Sequence, residues 1–176
     1  MRFLLTVICF GCIPLAFSQS DSLPLRNKQV IDTVLKYGPT ISPSYAGSVC
    51  TEFVIGVLEH FIVLNKEDKT NIRINQPRKS IDDVYLQMEN GSPFPKGVVY
   101  ALTHNGKGIP VQDKKAVLPG DFVQFWYPRS WGHCGIVEHL DLENNRMYLY
   151  SSFPSTDGYG VQEFDIPDYC YFVRLK

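Results

Sequence analysis

Leu118-Pro119-Gly120-Asp121-Phe122-Val123-Gln124-Phe125 and Gly132-His133-Cys134-Gly135-Ile136-Val137 are two runs rich in β-branched and aromatic residues, each opened by turn residues. Such runs read as strands. They sit in a second half where residues 98–102, 122–126, 135–140, 147–150 and 169–174 all read this way, with Asn144-Asn145 turning the chain between the third and fourth. The first half is helical. Residues 27–37 carry Val30, Ile31, Val34 and Leu35 at helical spacing, and Gly38-Pro39 stops them. A second helix starts near Ser48 as N-cap and buries Cys50, Val54, Val57, Phe61 and Leu64. A short third helix runs from Ser80, its cap, to about Met88, with Asp83 in the capping-box position. Between them residues 66–79 are polar and read as a connecting loop. Helices first and a strand meander after predict an α+β fold, N-terminal helices packed on an antiparallel β-sheet.

The chain has 176 residues, 44% hydrophobic and 20% charged, which predicts one globular domain with a substantial core. A net charge of -1 gives no electrostatic footprint for nucleic acid. The start is different in kind. Met1-Arg2 is followed by an apolar run from Phe3 to Phe17, and Ala16-Phe17-Ser18 offers a small-x-small cleavage pattern. Residues 1–18 therefore read as a signal peptide cut before Gln19, and residues 19–176 as the mature single domain, secreted or periplasmic. A lipoprotein anchored at Cys12, after Gly11, is the alternative. No later stretch is long enough to form a transmembrane segment, and the expected state is a monomer.

Cleavage leaves Cys50, Cys134 and Cys170 of the five cysteines, an odd number. Export permits disulfides, and a Cys134–Cys170 bridge would leave Cys50 free. Three cysteines without paired spacing do not suggest a metal site, and no cofactor is implied.

Cys50 opens a helix, where unpaired backbone N–H groups and the positive end of the dipole favour a thiolate. Its own N–H can face an oxyanion. Cysteine is also a common small buried hydrophobe, so the thiol needs a partner to count as a nucleophile. His133 opens a strand behind Gly132, and strand alternation puts His133, Gly135 and Val137 on one face. His60 lies off its helix's buried stripe, His104 precedes the Asn105-Gly106 turn, and His139 shares the parity of His133 but stands roughly 20 Å along the strand. A hairpin between the third and fourth strands returns Ser151 beside His133, making it the first choice to orient the imidazole. Ser152, Asp157, Gln124 and Glu138 are further candidates. Trp126, Tyr127 and Trp131 are placed to wall a substrate cleft, with residues 151–160 as a second wall.

Val49-Cys50-Thr51-Glu52-Phe53-Val54 at a helix start, the Gly120-Asp121 strand and the Gly132-His133 strand together resemble the NlpC-type and CHAP-type papain-like cysteine peptidases. The likeness spans about residues 45–153, and the order and 83-residue separation of Cys50 and His133 fit it. It implies Cys50 as nucleophile, His133 as general base, a papain-like fold, and amide cleavage in peptidoglycan stem peptides. The resemblance implies for Tyr45 the part of the family's substrate-positioning tyrosine, at a shorter spacing to Cys50 than usual. The chain departs from the pattern where Val49 and Thr51 replace the usual Asp and Ser around the nucleophile. It departs again where Ser151-Ser152 stand in place of His, Asn, Gln or Glu. The expected activity is a secreted cysteine amidase working through a thioester acyl-enzyme. A non-catalytic peptide- or wall-binding module and an acyltransferase are the alternatives on the same fold.

Overall fold

The computed structural model describes residues 23–74, 81–128 and 130–176. The expected signal peptide with its cleavage site, Cys12 and the expected Ser80 cap lie outside the described residues. Among the described residues the fold is α+β, with five helices and one six-stranded antiparallel sheet. The helices are α1 (Leu25–Ile41), α2 (Cys50–Leu58), α3 (Lys66–Ile72), α4 (Ile81–Glu89) and α5 (Gly97–His104). The strands are β1 (Gly108–Val111), β2 (Phe122–Trp126), β3 (Gly132–Asp141), β4 (Arg146–Phe153), β5 (Gly158–Asp165) and β6 (Tyr169–Leu175), in the order β1-β6-β2-β3-β4-β5. No helix among the described residues is long and apolar enough to cross a membrane.

Several elements differ from the sequence expectation. Residues 98–102 form a helix, α5, rather than a strand: Val98, Val99, Ala101 and Leu102 are all buried, a spacing of one helix face. Tertiary burial has overridden the β preference of Val-Val-Tyr. The polar stretch after Asn65 contains α3, set by a reciprocal capping box between Asn65 and Asp68. Helix α1 carries on through Gly38-Pro39 to Ile41, because a proline this near the end disturbs only the last turn, which the Ser42 N–H closes on the Gly38 carbonyl at 3.0 Å. Helix α2 is shorter than expected. It ends at Leu58, and tight turns through His60 and Phe61 lead to the next cap, although Leu64 remains buried. The strands β1 and β5 were not expected at all.

The sheet has two apolar faces. Phe122, Ile136 and Val173 pack against Val30, Val34, Val54 and Val57 of the helices. On the other face Val123, Phe125, Val137, Leu149, Phe164 and Phe172 pack together. In a flat sheet β2 and β5 stand three strand spacings apart, roughly 14 Å. Yet the rings of Phe125 and Phe164 are 5.3 Å apart between centroids, so the sheet curls around this second face. An extra residue at Glu138 shifts the β3–β4 register. It turns His139 onto the side of Tyr148, its stacking partner, and so breaks the expected shared parity with His133.

The Gly120-Asp121 turn fastens the sheet's centre to α1. Gly120 has φ +86°, a conformation that only glycine adopts freely. The fully buried Asp121 carboxylate takes a bidentate Arg174 (2.8 and 2.7 Å), Asn27 Nδ2 (2.8 Å) and the Leu118 amide (2.9 Å). Removing the carboxylate leaves the Leu118 amide without its acceptor and the part-buried Arg174 guanidinium with only the Ala116 carbonyl. Asp121→Ala is therefore expected to lower unfolding free energy by about 3 kcal/mol, read from urea denaturation. A loss under about 1 kcal/mol would show that the clamp carries no weight.

Candidate active site

Strands β3 and β4 pair from Ile136↔Tyr150 toward their hairpin, and the ladder goes no further the other way. Beyond it β4 continues beside β5, through Ser151↔Gly160 to Phe153↔Gly158. The strands therefore part, and β3 keeps only β2 as a neighbour over residues 132–135. This decides where backbone donors point. The Val137 amide donates to the Asp121 carbonyl on the β2 side at 2.8 Å. Amides alternate in direction along a strand, so the Cys134 amide points toward the departed β4.

Cys50 packs on the helix-covered side of this part of the sheet, against the cluster that contains Cys134. It is the first residue of α2, after Val49 at the N-cap. Its start is held in place because the Ser48 carbonyl accepts from the hydroxyls of Ser42 (2.9 Å) and Ser152. The Cys134 thiol, followed by the imidazole's bond and charge, brings the Cys50 thiol from its ordinary 9.0 down to about 4, against the opposing effect of burial. Cys134 moves the opposite way, held as a thiol by its bond to Cys50 and by complete burial.

The imidazole of His133 points to the curled face. It is nearly buried, and the rings of Phe125, Trp131, Phe153 and Phe164 surround it at centroid distances of 5.1 to 6.0 Å. Its Nε2 lies 2.8 Å from Ser151 Oγ. Which nitrogen carries the proton follows from the bonds beyond. The Thr156 hydroxyl donates to a backbone carbonyl, that of Gly158 (2.7 Å) or Phe153 (3.1 Å), and must accept from Gln162 Nε2 at 2.8 Å. That orients the Gln162 amide, whose Oε1 accepts the Ser151 hydroxyl proton. Ser151 Oγ then has only lone pairs left for His133, so Nε2 is the protonated nitrogen and Nδ1 faces Cys50. Gly135 makes this possible. A side chain there would stand 2.9 Å from the Tyr150 carbonyl and 3.1 Å from Ser151 Cβ.

A pocket of about 260 Å³ opens on Cys50, lined among others by Tyr45, Thr51, Arg73, Gln124, Trp126 and Gly132. Tyr45 is near enough for the Cys50 charge to add to burial in raising its phenol. The Trp126 indole donates to the Pro95 carbonyl at 2.7 Å, fixing that wall. Arg73 reaches the rim while held bidentately by Glu52 of α2 at 2.7 and 2.9 Å. Trp131 does not line this pocket; it covers the imidazole from the curled face, 37% exposed. The other third-group candidates face elsewhere: Ser152 bonds Ser48, Asp157 bonds the Tyr45 amide, Glu138 pairs with His139, and Gln124 bonds the His133 carbonyl rather than its ring. Cys170 pairs in register with Phe125, on the opposite face from Cys134, so β2 separates the two and the anticipated bridge is not made. All three cysteines of the described residues are free.

Gln162 and Thr156 are members that sequence reasoning missed. The sequence carried no clear signal for them: at residues 161–162 the exposed position is the apolar Val161 and the buried one the polar Gln162, the reverse of the pattern that marks a half-buried strand. Among the described residues no group of three or more His, Cys, Asp or Glu is arranged to hold a metal ion. No family model, curated protein or solved structure matches the chain.

Gln162→Leu removes the acceptor that commits the Ser151 proton, and Ser151→Ala removes the imidazole's partner. Each is expected to raise the pH at which iodoacetamide alkylation of Cys50 falls off on acidification, because the imidazole's bond and charge help to hold the thiolate. Cys170→Ala, remote from the pocket, should leave that midpoint unchanged. An unmoved midpoint in Ser151→Ala would show that the imidazole needs no orienting bond.

Proposed function

We propose that the protein is a cysteine hydrolase that cleaves an amide bond through Cys50, on a papain-like fold of the NlpC and CHAP type. The observation that carries this reading is that a helix-opening cysteine and a histidine line one pocket, the imidazole anchored on Ser151 and helping to bring the thiol well below its ordinary pKa. A cysteine serving only as packing has no need of that second partner.

In the proposed reaction Cys50 Sγ attacks the scissile carbonyl carbon. The oxyanion forms beside the Cys50 N–H, one of the helix-start amides that has no partner within its own helix. Protonated His133 delivers its Nδ1 proton to the departing amine and leaves a thioester on Cys50. Neutral His133 next takes a proton from water, which attacks the thioester and releases the acid. Throughout, Nε2–H stays on Ser151, so the ring neither flips nor changes tautomer at that nitrogen. The aromatic enclosure of the ring keeps bulk water from competing for its protons.

The substrate we propose is peptide, and within that class the stem peptide of peptidoglycan, met outside the cytoplasm after export. The supports are the resemblance of the two strand motifs and the N-terminal leader pattern. Purified sacculi digested with the protein are expected to release fragments identifiable by mass spectrometry, and Cys50→Ala to release none. Equal release by both would remove Cys50 from the chemistry. No release by either, with both folded, would remove the cell wall as substrate.

A further inference from the structure

Gln124 stands opposite Cys134 in the β2–β3 ladder, so its side chain shares the helix-covered face with that residue. It lines the pocket that Cys50 opens on and is 2% exposed. The carboxamide is oriented by Nε2, which donates to the His133 carbonyl at 3.0 Å and reaches the Phe125 carbonyl at 3.4 Å. Oε1 is left buried and accepts no hydrogen bond from the described residues. Space is kept for it. At Gly97, with φ +45°, a Cβ would stand 2.5 Å from Oε1 and 3.1 Å from Ile74 Cδ1. A buried acceptor without a donor is costly, and its retention calls for a use.

The aliphatic neighbour of that oxygen is strained. Ile74 lines the same pocket and packs in one cluster with Trp126. It follows Arg73, the C-cap of α3, at a position that glycine usually takes, and its φ is +53°. For a β-branched residue that backbone is an outlier of the kind found at ligand clamps. One wall of the Cys50 pocket thus joins an acceptor without a donor to a side chain whose displacement relieves strain. We propose that Gln124 Oε1 accepts a backbone N–H of the bound peptide, reached when Ile74 swings aside. The oxygen offers only lone pairs, so the subsite takes an N–H donor and rejects a carboxylate or an N-methylated amide. The inference rests on the reading of this pocket as a peptide site, and it names the group that selects substrate there.

The test labels Cys50 with acetyl-alanyl-alanyl chloromethyl ketone, whose methylene carbon the thiolate attacks, forming a C–S bond and releasing chloride. Analogues carry an N-methyl group on one backbone nitrogen, on the other, or on both, and rates are read by peptide mapping. One methylation is expected to slow labelling of the parent about tenfold, the loss of one hydrogen bond to a buried acceptor. In Gln124→Met, which lacks the acceptor, that difference should vanish. Ile74→Gly, free of the backbone strain, should take the unmethylated probe about threefold faster and the doubly methylated one no faster. This second variant decides should Gln124→Met fail to fold. Equal rates for all probes in the parent, a methylation penalty that persists in Gln124→Met, or equal acceleration of both probes in Ile74→Gly would overturn the proposal. Labelling needs a nucleophilic Cys50 but no hydrolysis. Sacculi left undigested would therefore sink the cell-wall reading alone, and indifference to N-methylation would sink this subsite alone.

Discussion

The candidate site depends on an antiparallel ladder that stops early. Past Ile136↔Tyr150, β4 leaves β3 and stays with β5, so one edge of β3 loses its partner while still inside the protein. A buried amide without an acceptor is costly, on the order of 1–3 kcal/mol. At this edge the amide and thiol of Cys134 both act to lower the pKa of the Cys50 thiol. A thiolate suits such a position better than a thiol, because it offers only lone pairs to the donors that surround it. The strand parting and the acidity of Cys50 are thus two sides of one arrangement.

The same parting lets groups from opposite faces of the sheet meet. Cys50 comes from the helix-covered face, packed against the cluster that contains Cys134 and Ile136. His133 belongs to the curled face, with Phe125, Phe153 and Phe164 around it. In a continuous sheet the backbone of β4 would stand between them. The strand that moves away also supplies the support, since Ser151 lies on β4 and Gln162 on β5. Two clamps hold the parts in register: Ser42 and Ser152 on the Ser48 carbonyl at the start of α2, and Arg174 with Asn27 on Asp121 at the start of β2.

Much of this was written locally in the sequence. The α+β order, the strands around Phe122 and Ile136, and the helix opening at Cys50 follow from periodicity and turn residues that need no distant partner. Ser151 was legible as the residue a hairpin returns toward His133, and it lies 2.8 Å from the ring. Other features arise only from assembly. Helix α5 has the side chains of a strand and is helical because α3, β1, β2 and β6 surround it. The parting of β3 from β4 leaves no trace in composition, and without it neither the bond between Cys134 and Cys50 nor the role of β5 could be foreseen. Gln162 was hidden for a related reason: the glycines and proline of residues 151–160 read as loop, though two of the glycines begin a strand. Trp131 was placed with the cleft by its neighbours in sequence, whereas the turn after β2 carries it to the other face.

The central claim is that the Cys50 sulfur is held as a thiolate by the donors of β3. The ultraviolet absorbance of thiolate, titrated in the folded protein and subtracted from that of Cys50→Ser, measures this directly. The account predicts a thiolate signal that persists through neutral pH and is lost with a midpoint at about 4 as the solution is acidified. A difference signal that instead appears only as pH rises toward the ordinary cysteine value of 9.0 would contradict it.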